Sequence, residues 1–153
     1  MLPLVTIVTK PFGQIEVDER QIIDFPEGIY GFEDIKKFVI LDAKEKSPFK
    51  WLQAYDEPDL AFVIIRPIDF MMQYELDVMP EDLEDIGAKS PDDVLVFAIV
   101  TIPEDPSKMT ANLQGPVLIN PKTRKGKQAI SLCDKYTVRH YILEEIKKAQ
   151  VKG

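Results

Sequence analysis

Side-chain chemistry needs groups that can shuttle a proton, attack an electrophile or ligate a metal, and this sequence offers few of them. His140 is the one histidine, so imidazole acid–base or metal chemistry would have to pass through it. Paired with Glu144 it could supply two ligands, but zinc takes three or four from protein, and Cys133 is the one thiol. A structural or solvated His140, placed on a C-terminal helix, is the expectation. The seven glycines form neither a dinucleotide-binding nor a P-loop pattern, and Gly28-Ile29-Tyr30-Gly31 reads as a turn. Carboxylates adjoin at Asp92-Asp93 and recur at Asp82 and Asp85, yet a working acid–base pair needs two environments that push its pKa values apart. Adjacent solvated acids do not supply them. A calcium-loop spacing is also missing. The expectation is a non-enzyme without metal or cofactor, and the alternative is a small enzyme or metal-dependent hydrolase on a β scaffold.

Charge and apolar side chains point instead to binding. Glu75, Asp77, Glu81, Asp82, Glu84, Asp85, Asp92 and Asp93 face a single base, Lys89, so this stretch alone carries the net charge of the whole chain, −7. Such a run either solubilises a surface or docks a basic partner, since complementary potentials speed encounter and fix register. Just before it, Phe70, Met71, Met72 and Tyr74 offer either core packing or an adaptable apolar patch for an amphipathic helix. Lys122-Thr123-Arg124-Lys125-Gly126-Lys127 holds four bases in six residues. Without interleaved aromatics it makes a poor nucleic-acid platform and reads as an exposed hairpin loop.

The elements that must position these groups are mostly strands. Twelve prolines cut the sequence into short pieces in which apolar residues alternate or run in blocks. Strands are expected near 4–9, 13–17, 20–25, 37–42, 50–55, 60–66, 94–102, 116–120 and 127–132. So many short strands cannot lie in one small open sheet, which must curl or split into two layers. Residues 61–65 and 94–100 lack alternation, as strands buried on both faces do. Pro80, the acids after it and Gly87 mark a short helix over 79–87. Ile142 and Ile146, four apart with Leu143 and Ala149 beside them, mark a C-terminal helix from about residue 137, its Lys147 and Lys148 suited to the helix dipole.

The 153 residues, 45% hydrophobic and 29% charged, suit one soluble domain over 1–153. The longest apolar run, Val94–Val100, falls far short of the ~20 residues a membrane span needs. With one unpaired cysteine and no export signal, a cytoplasmic setting is expected, and a pI near 4.8 argues against direct nucleic-acid binding.

Three motifs carry a resemblance. Phe25-Pro26-Glu27-Gly28-Ile29-Tyr30-Gly31-Phe32-Glu33, then Trp51-Leu52-Gln53-Ala54-Tyr55-Asp56-Glu57-Pro58-Asp59-Leu60-Ala61-Phe62, then Asn112-Leu113-Gln114-Gly115-Pro116-Val117-Leu118-Ile119-Asn120, in that order, resemble the FliW flagellar assembly factors over about residues 4–140. The resemblance implies a small β-barrel-like, non-enzymatic, chaperone-like bacterial protein of the cytoplasm with two protein partners. One is flagellin, held before export. The other is the translational repressor CsrA, antagonised when flagellin leaves, so that flagellin translation is coupled to secretion. Within the motifs, Gly28 and Gly31 are expected to permit a backbone turn. Phe25, Phe32, Trp51, Leu52 and Phe62 are core candidates, and the Asn112 amide satisfies a turn ahead of Pro116. The expected repressor contacts are Glu75, Asp77, Glu81, Asp82, Glu84 and Asp85; those for flagellin are Phe70, Met71, Met72 and Tyr74. The fold class expected is mainly β, a small barrel or two-layer antiparallel sheet with a short acidic helix and a C-terminal helix.

Overall fold

The computed structural model describes residues 3–43 and 46–152. Ten strands and two helices follow in the order β1 Leu4–Thr9, β2 Gly13–Asp18, β3 Ile22–Asp24, β4 Lys37–Asp42, β5 Lys50–Ala54, β6 Ala61–Ile65, α1 Pro80–Glu84, β7 Leu95–Thr101, β8 Thr110–Asn120, β9 Lys125–Gln128, β10 His140–Tyr141 and α2 Ile142–Lys152. Seven strands close into a barrel in the order β8-β7-β6-β5-β4-β3-β9, with β9 returning to β8. All neighbours are antiparallel except β3 and β9, which meet in parallel at one pair, Asp24 and Lys125. β10 hangs on β8 outside the ring, and β1–β2 form a separate hairpin. No described helix is long and apolar enough to cross a membrane.

Alternation along each strand fills the barrel and clothes it. On β4, Phe38 and Ile40 point into the interior cluster with Phe25, Leu52, Ile64, Phe97, Val117 and Ile119, while Val39 and Leu41 point outward under Ile7 and Val17 of the hairpin. β7 does the same: Phe97 and Ile99 face inward, and Ala98 and Val100 pack beneath Phe70, Met71 and Ile142 of α2. The unbroken apolar runs of β6 and β7 thus follow from cover on both faces. Phe25 is fully buried, its ring edge-on to Phe38 with centroids 5.0 Å apart; burying such a ring contributes ~1.5–3 kcal/mol.

β8 is longer than its apolar pattern predicts. Leu113 and Val117 lie an even number of residues apart, yet Leu113 packs outside the barrel and Val117 inside. Between Phe97 and Ile99 of β7, the paired partner jumps from Val117 to Asn112, so β8 carries a multi-residue bulge. Asn112 Oδ1 holds it by accepting from the N–H groups of Gln114 (3.0 Å) and Gly115 (2.9 Å), ahead of Pro116, which lacks an N–H to pair. Polar residues and proline, which read as a loop before 116, are therefore the bend of one continuous strand. The expected strand at 127–132 is instead Lys125–Gln128. Beyond it the chain stays tied to the bulge, Ala129 and Ser131 donating to the carbonyls of Pro116 and Gln114.

Other boundaries shift for local reasons. Glu19–Gln21 form a 3₁₀ turn capped by Asp18 and leave only Ile22–Asp24 as strand. The C-terminal helix begins at Ile142, not near 137, and His140 lies in β10 rather than on that helix. Trp51 and Phe62 are half-buried, whereas Phe32 is 41% exposed with its ring edge-on to Phe62. Phe32 is therefore a wall residue and not core.

Gly28 and Gly31 hold the turn between β3 and β4 at φ of +68° and +89°. A Cβ on Gly28 would lie 2.6 Å from the Glu33 Cα, while at Gly31 it would meet open space. Gly31→Ala should cost ~1–2 kcal/mol for left-handed backbone alone. Gly28→Ala should cost at least twice that, because main chain must also move, and urea-unfolding midpoints of the two variants measure the difference.

Candidate functional site

The acidic segment wraps the outside of the barrel across β7 and β8. Leu83 and Ile86 anchor it, packing on Leu118 and Ala129 with Leu76, Val78, Val94 and Val96 around them. That burial turns the polar side of α1 and its flanks to solvent. Pro80 starts the helix and Gly87, at φ +74°, ends it. The Ile86 carbonyl accepts from Asn120 Nδ2 (3.0 Å) and Thr123 Oγ1 (2.8 Å), so the hairpin between β8 and β9 latches the helix end.

Lys127 is the anchor that the sequence pattern concealed. Its Nζ lies 2.6 Å from Asp85 Oδ2, 2.9 Å from Asp82 Oδ1 and 3.2 Å from Glu27 Oε2, and its side chain is 14% exposed. Burial opposes the ammonium charge, but the hydrogen bonds it donates to Asp85, Asp82 and Glu27 outweigh that cost and hold the pKa well above the ordinary lysine range. The basic run is therefore divided: Lys122, Thr123 and Arg124 form an exposed turn, and Lys127 sits on β9 beneath the acids.

The expected repressor residues separate accordingly. Asp82 and Asp85 are bound to Lys127, so reversing their charge would also pull apart this packing. Glu75, Asp77, Glu81 and Glu84, with Asp92 nearby, are exposed and have no ion-pair partner among the described residues. Asp93 caps the next turn by accepting from the N–H groups of Lys89 and Ser90, which lowers its pKa.

Of the expected flagellin residues, Phe70 and Met71 are interior, at 3% and 6% exposure against Ala98, Leu113 and Ile142. They cannot present a surface without unfolding the barrel's outer cover. Met72 is 80% exposed. Tyr74 is half-buried against Tyr136, with ring centroids 4.9 Å apart, and burial raises its hydroxyl pKa.

His140 Nε2 accepts from the Thr137 N–H at 2.9 Å, and Nδ1 lies 3.7 Å from Glu145 Oε1, not Glu144. That backbone bond assigns the proton to Nδ1 and occupies the lone pair a metal would need. Among the described residues no three His, Cys, Asp or Glu side chains gather as a metal site. A broad concavity lies between the bulge of β8, the Gly28–Gly31 turn and β10, adjoining the Lys127 clasp through Tyr30, Gln128 and Ile130. Its residues are spread through the chain, and no local pattern marks them.

The family model described as FliW protein matches residues 6–142. The Leptospira biflexa flagellar assembly factor FliW is 48% identical over 145 residues, 94% of this chain and 95% of that protein. Its counterpart from Leptospira interrogans serovar Lai is 50% identical over 141 residues, 92% and 94% of the two chains. The one from Treponema denticola is 47% identical over 143 residues, 94% and 97%. A crystal structure of the flagellar assembly factor FliW superposes with a TM-score of 0.83 at 37% identity, covering 90% of this chain and 96% of that one.

Replacing Lys127 by Met should destabilise the fold by ~1–3 kcal/mol, since Asp82 is left largely buried without its cation. In wild type the contribution of Lys127 is fully present below the ordinary lysine pKa of ~10.4 and is lost as pH rises through its higher folded value. Urea midpoints compared at low and high salt check this, because a buried pair is screened less than a surface one.

Proposed function

The chain belongs to the FliW family, and from that premise we propose that it is a cytoplasmic flagellar assembly factor that holds flagellin before export and antagonises the translational repressor CsrA, coupling flagellin synthesis to secretion. The supporting observation is the acidic face. Leu83 and Ile86 fix its backbone to the barrel and Lys127 fixes Asp82 and Asp85, so the free carboxylates of Glu75, Asp77, Glu81 and Glu84 stand on a rigid support. Preorganised charge of one sign costs little ordering on binding and steers a basic partner. In this reading Asp82 and Asp85 shape the surface and contribute long-range potential, while the exposed four make contact. For flagellin, the apolar patch after Pro67 offers Met72, with the Tyr74 ring beside it.

Glu81→Lys with Glu84→Lys should weaken CsrA-type repressor binding about tenfold and flatten its salt dependence, without moving the thermal midpoint. Calorimetric titration at two salt concentrations, alone and after saturation with flagellin, reads both effects. Salt-sensitive repressor binding that flagellin abolishes supports the proposed switch, whereas wild-type protein that binds neither partner overturns it.

A further inference from the structure

A groove of about 740 Å³ runs between the β8 bulge, the Gly28–Gly31 turn and β10. Phe62 and Ile99 floor it, half-buried. Tyr30, Ile130, Val138 and Tyr141 line its walls with 57%, 49%, 52% and 42% of their surface exposed. Side chains of this size seldom stand open together on a surface that has no partner, and tyrosines near the centre of a concave patch are the usual anchors of protein contacts.

The electrical sign of the groove is opposite to that of the molecule. The chain is rich in carboxylates, yet among the described residues none lines the groove, and its charged lining residues there are Lys108 and Arg139. Both are exposed, and neither has an ion-pair partner among the described residues. The groove is also fixed in shape. Gln128 accepts from the Tyr30 N–H at 2.9 Å and donates to the Gly115 carbonyl at 2.9 Å, tying one wall to the bulge. Asn112 holds the bulge itself.

We infer that this groove is a second docking surface, which takes a segment of a protein partner presenting apolar side chains between carboxylates. Apolar walls favour desolvation of the partner's side chains, and two free cations in a field otherwise negative reject a basic segment. The groove borders the acidic face at Tyr30, Gln128 and Ile130, which also line the hollow of Glu27, Asp82 and Lys127, but its own charged lining is basic, so the two surfaces select partners of opposite charge. The inference leans on the proposed function for its first probe, and it places the larger part of the flagellin contact in this groove, with Met72 and Tyr74 as a separate, smaller contact.

That probe is flagellin from the same species, titrated against wild type, the groove variant Val138→Asp/Arg139→Glu and the acidic-face variant Glu81→Lys/Glu84→Lys, with thermal melts to establish that each is folded. The expected result is a loss of at least tenfold in flagellin affinity for the groove variant with repressor binding unchanged, and the reverse for the acidic-face variant. A folded groove variant that holds flagellin at full strength overturns the inference. If wild type binds no flagellin, the proposed function fails on that arm, and selection of displayed random peptides decides the groove. Enrichment of peptides that combine apolar residues with Asp or Glu, and that lose binding in the groove variant, supports the inference. No enrichment, basic peptides, peptides indifferent to the substitutions, or a wild-type dimer that the groove variant abolishes overturns it.

Discussion

Everything in this molecule hangs on the closure of the barrel by β9, a strand of four residues with no apolar side chain larger than the aliphatic stem of a lysine. It pairs with β8 over its whole length and reaches β3 at a single parallel position. Closure removes the open edges on which another chain could polymerise, and it brings together segments far apart in sequence. Alternation along β9 then assigns a task to each face. Gly126 and Gln128 are buried, while Lys127 turns to the acidic segment outside. A Cβ on Gly126 would come within 2.5 Å of the Phe25 ring, so the smallest side chain is what lets the largest core residue reach the barrel interior. Gln128 bridges turn and bulge. One short strand thereby couples the core, the acidic face and the groove.

Three buried amides do comparable work where backbone leaves regular pairing. Gln53, fully buried, accepts from the Lys10 N–H at 2.9 Å, and its Nε2 lies 3.0–3.2 Å from the carbonyls of Ala54, Glu57, Pro58 and Leu60. It stitches the β5–β6 turn and clips the N-terminal hairpin to the barrel. Asn120 and Gln128 serve the α1 end and the β8 bulge. Amides suit such places because each offers donor and acceptor without a charge to desolvate. Strand irregularities buried near a barrel wall would otherwise strand main-chain groups without partners.

Legibility in the sequence followed the range of the interaction that decides each element. The alternating strands β1 and β2, the doubly buried runs of β6 and β7, the proline start and glycine stop of α1, and the glycine turn at 28–31 are written in adjacent residues, which is why their positions can be read from sequence. Pattern alone cuts β8 short because Asn112-Leu113-Gln114-Gly115-Pro116 has the composition of a turn; what makes it strand is pairing with β7 on either side of the bulge and with β10 before it. His140 fell into β10 for the same reason, its partner Ala111 being supplied by the barrel. The acidic cluster could be read because its members are neighbours in sequence, but its cation lies 42 residues beyond Asp85 and had the look of loop charge. Periodicity could not separate Phe70 and Met71 from Met72, since it does not tell which side of a short turn meets α2. Even less could it show the groove, whose lining comes from six separate segments.

The clasp on Lys127 also bears on how this protein can be handled chemically. An amine attacks an activated ester or an aldehyde only through its unprotonated form, and here three carboxylate contacts keep that form scarce while burial restricts approach. Amine-directed dyes, biotin reagents and surface-immobilisation chemistries will therefore consume the solvated lysines and pass this one by. Lys108 at the groove rim is among the exposed lysines such reagents reach, so coupling through amines removes groove charge while leaving the Lys127 clasp intact.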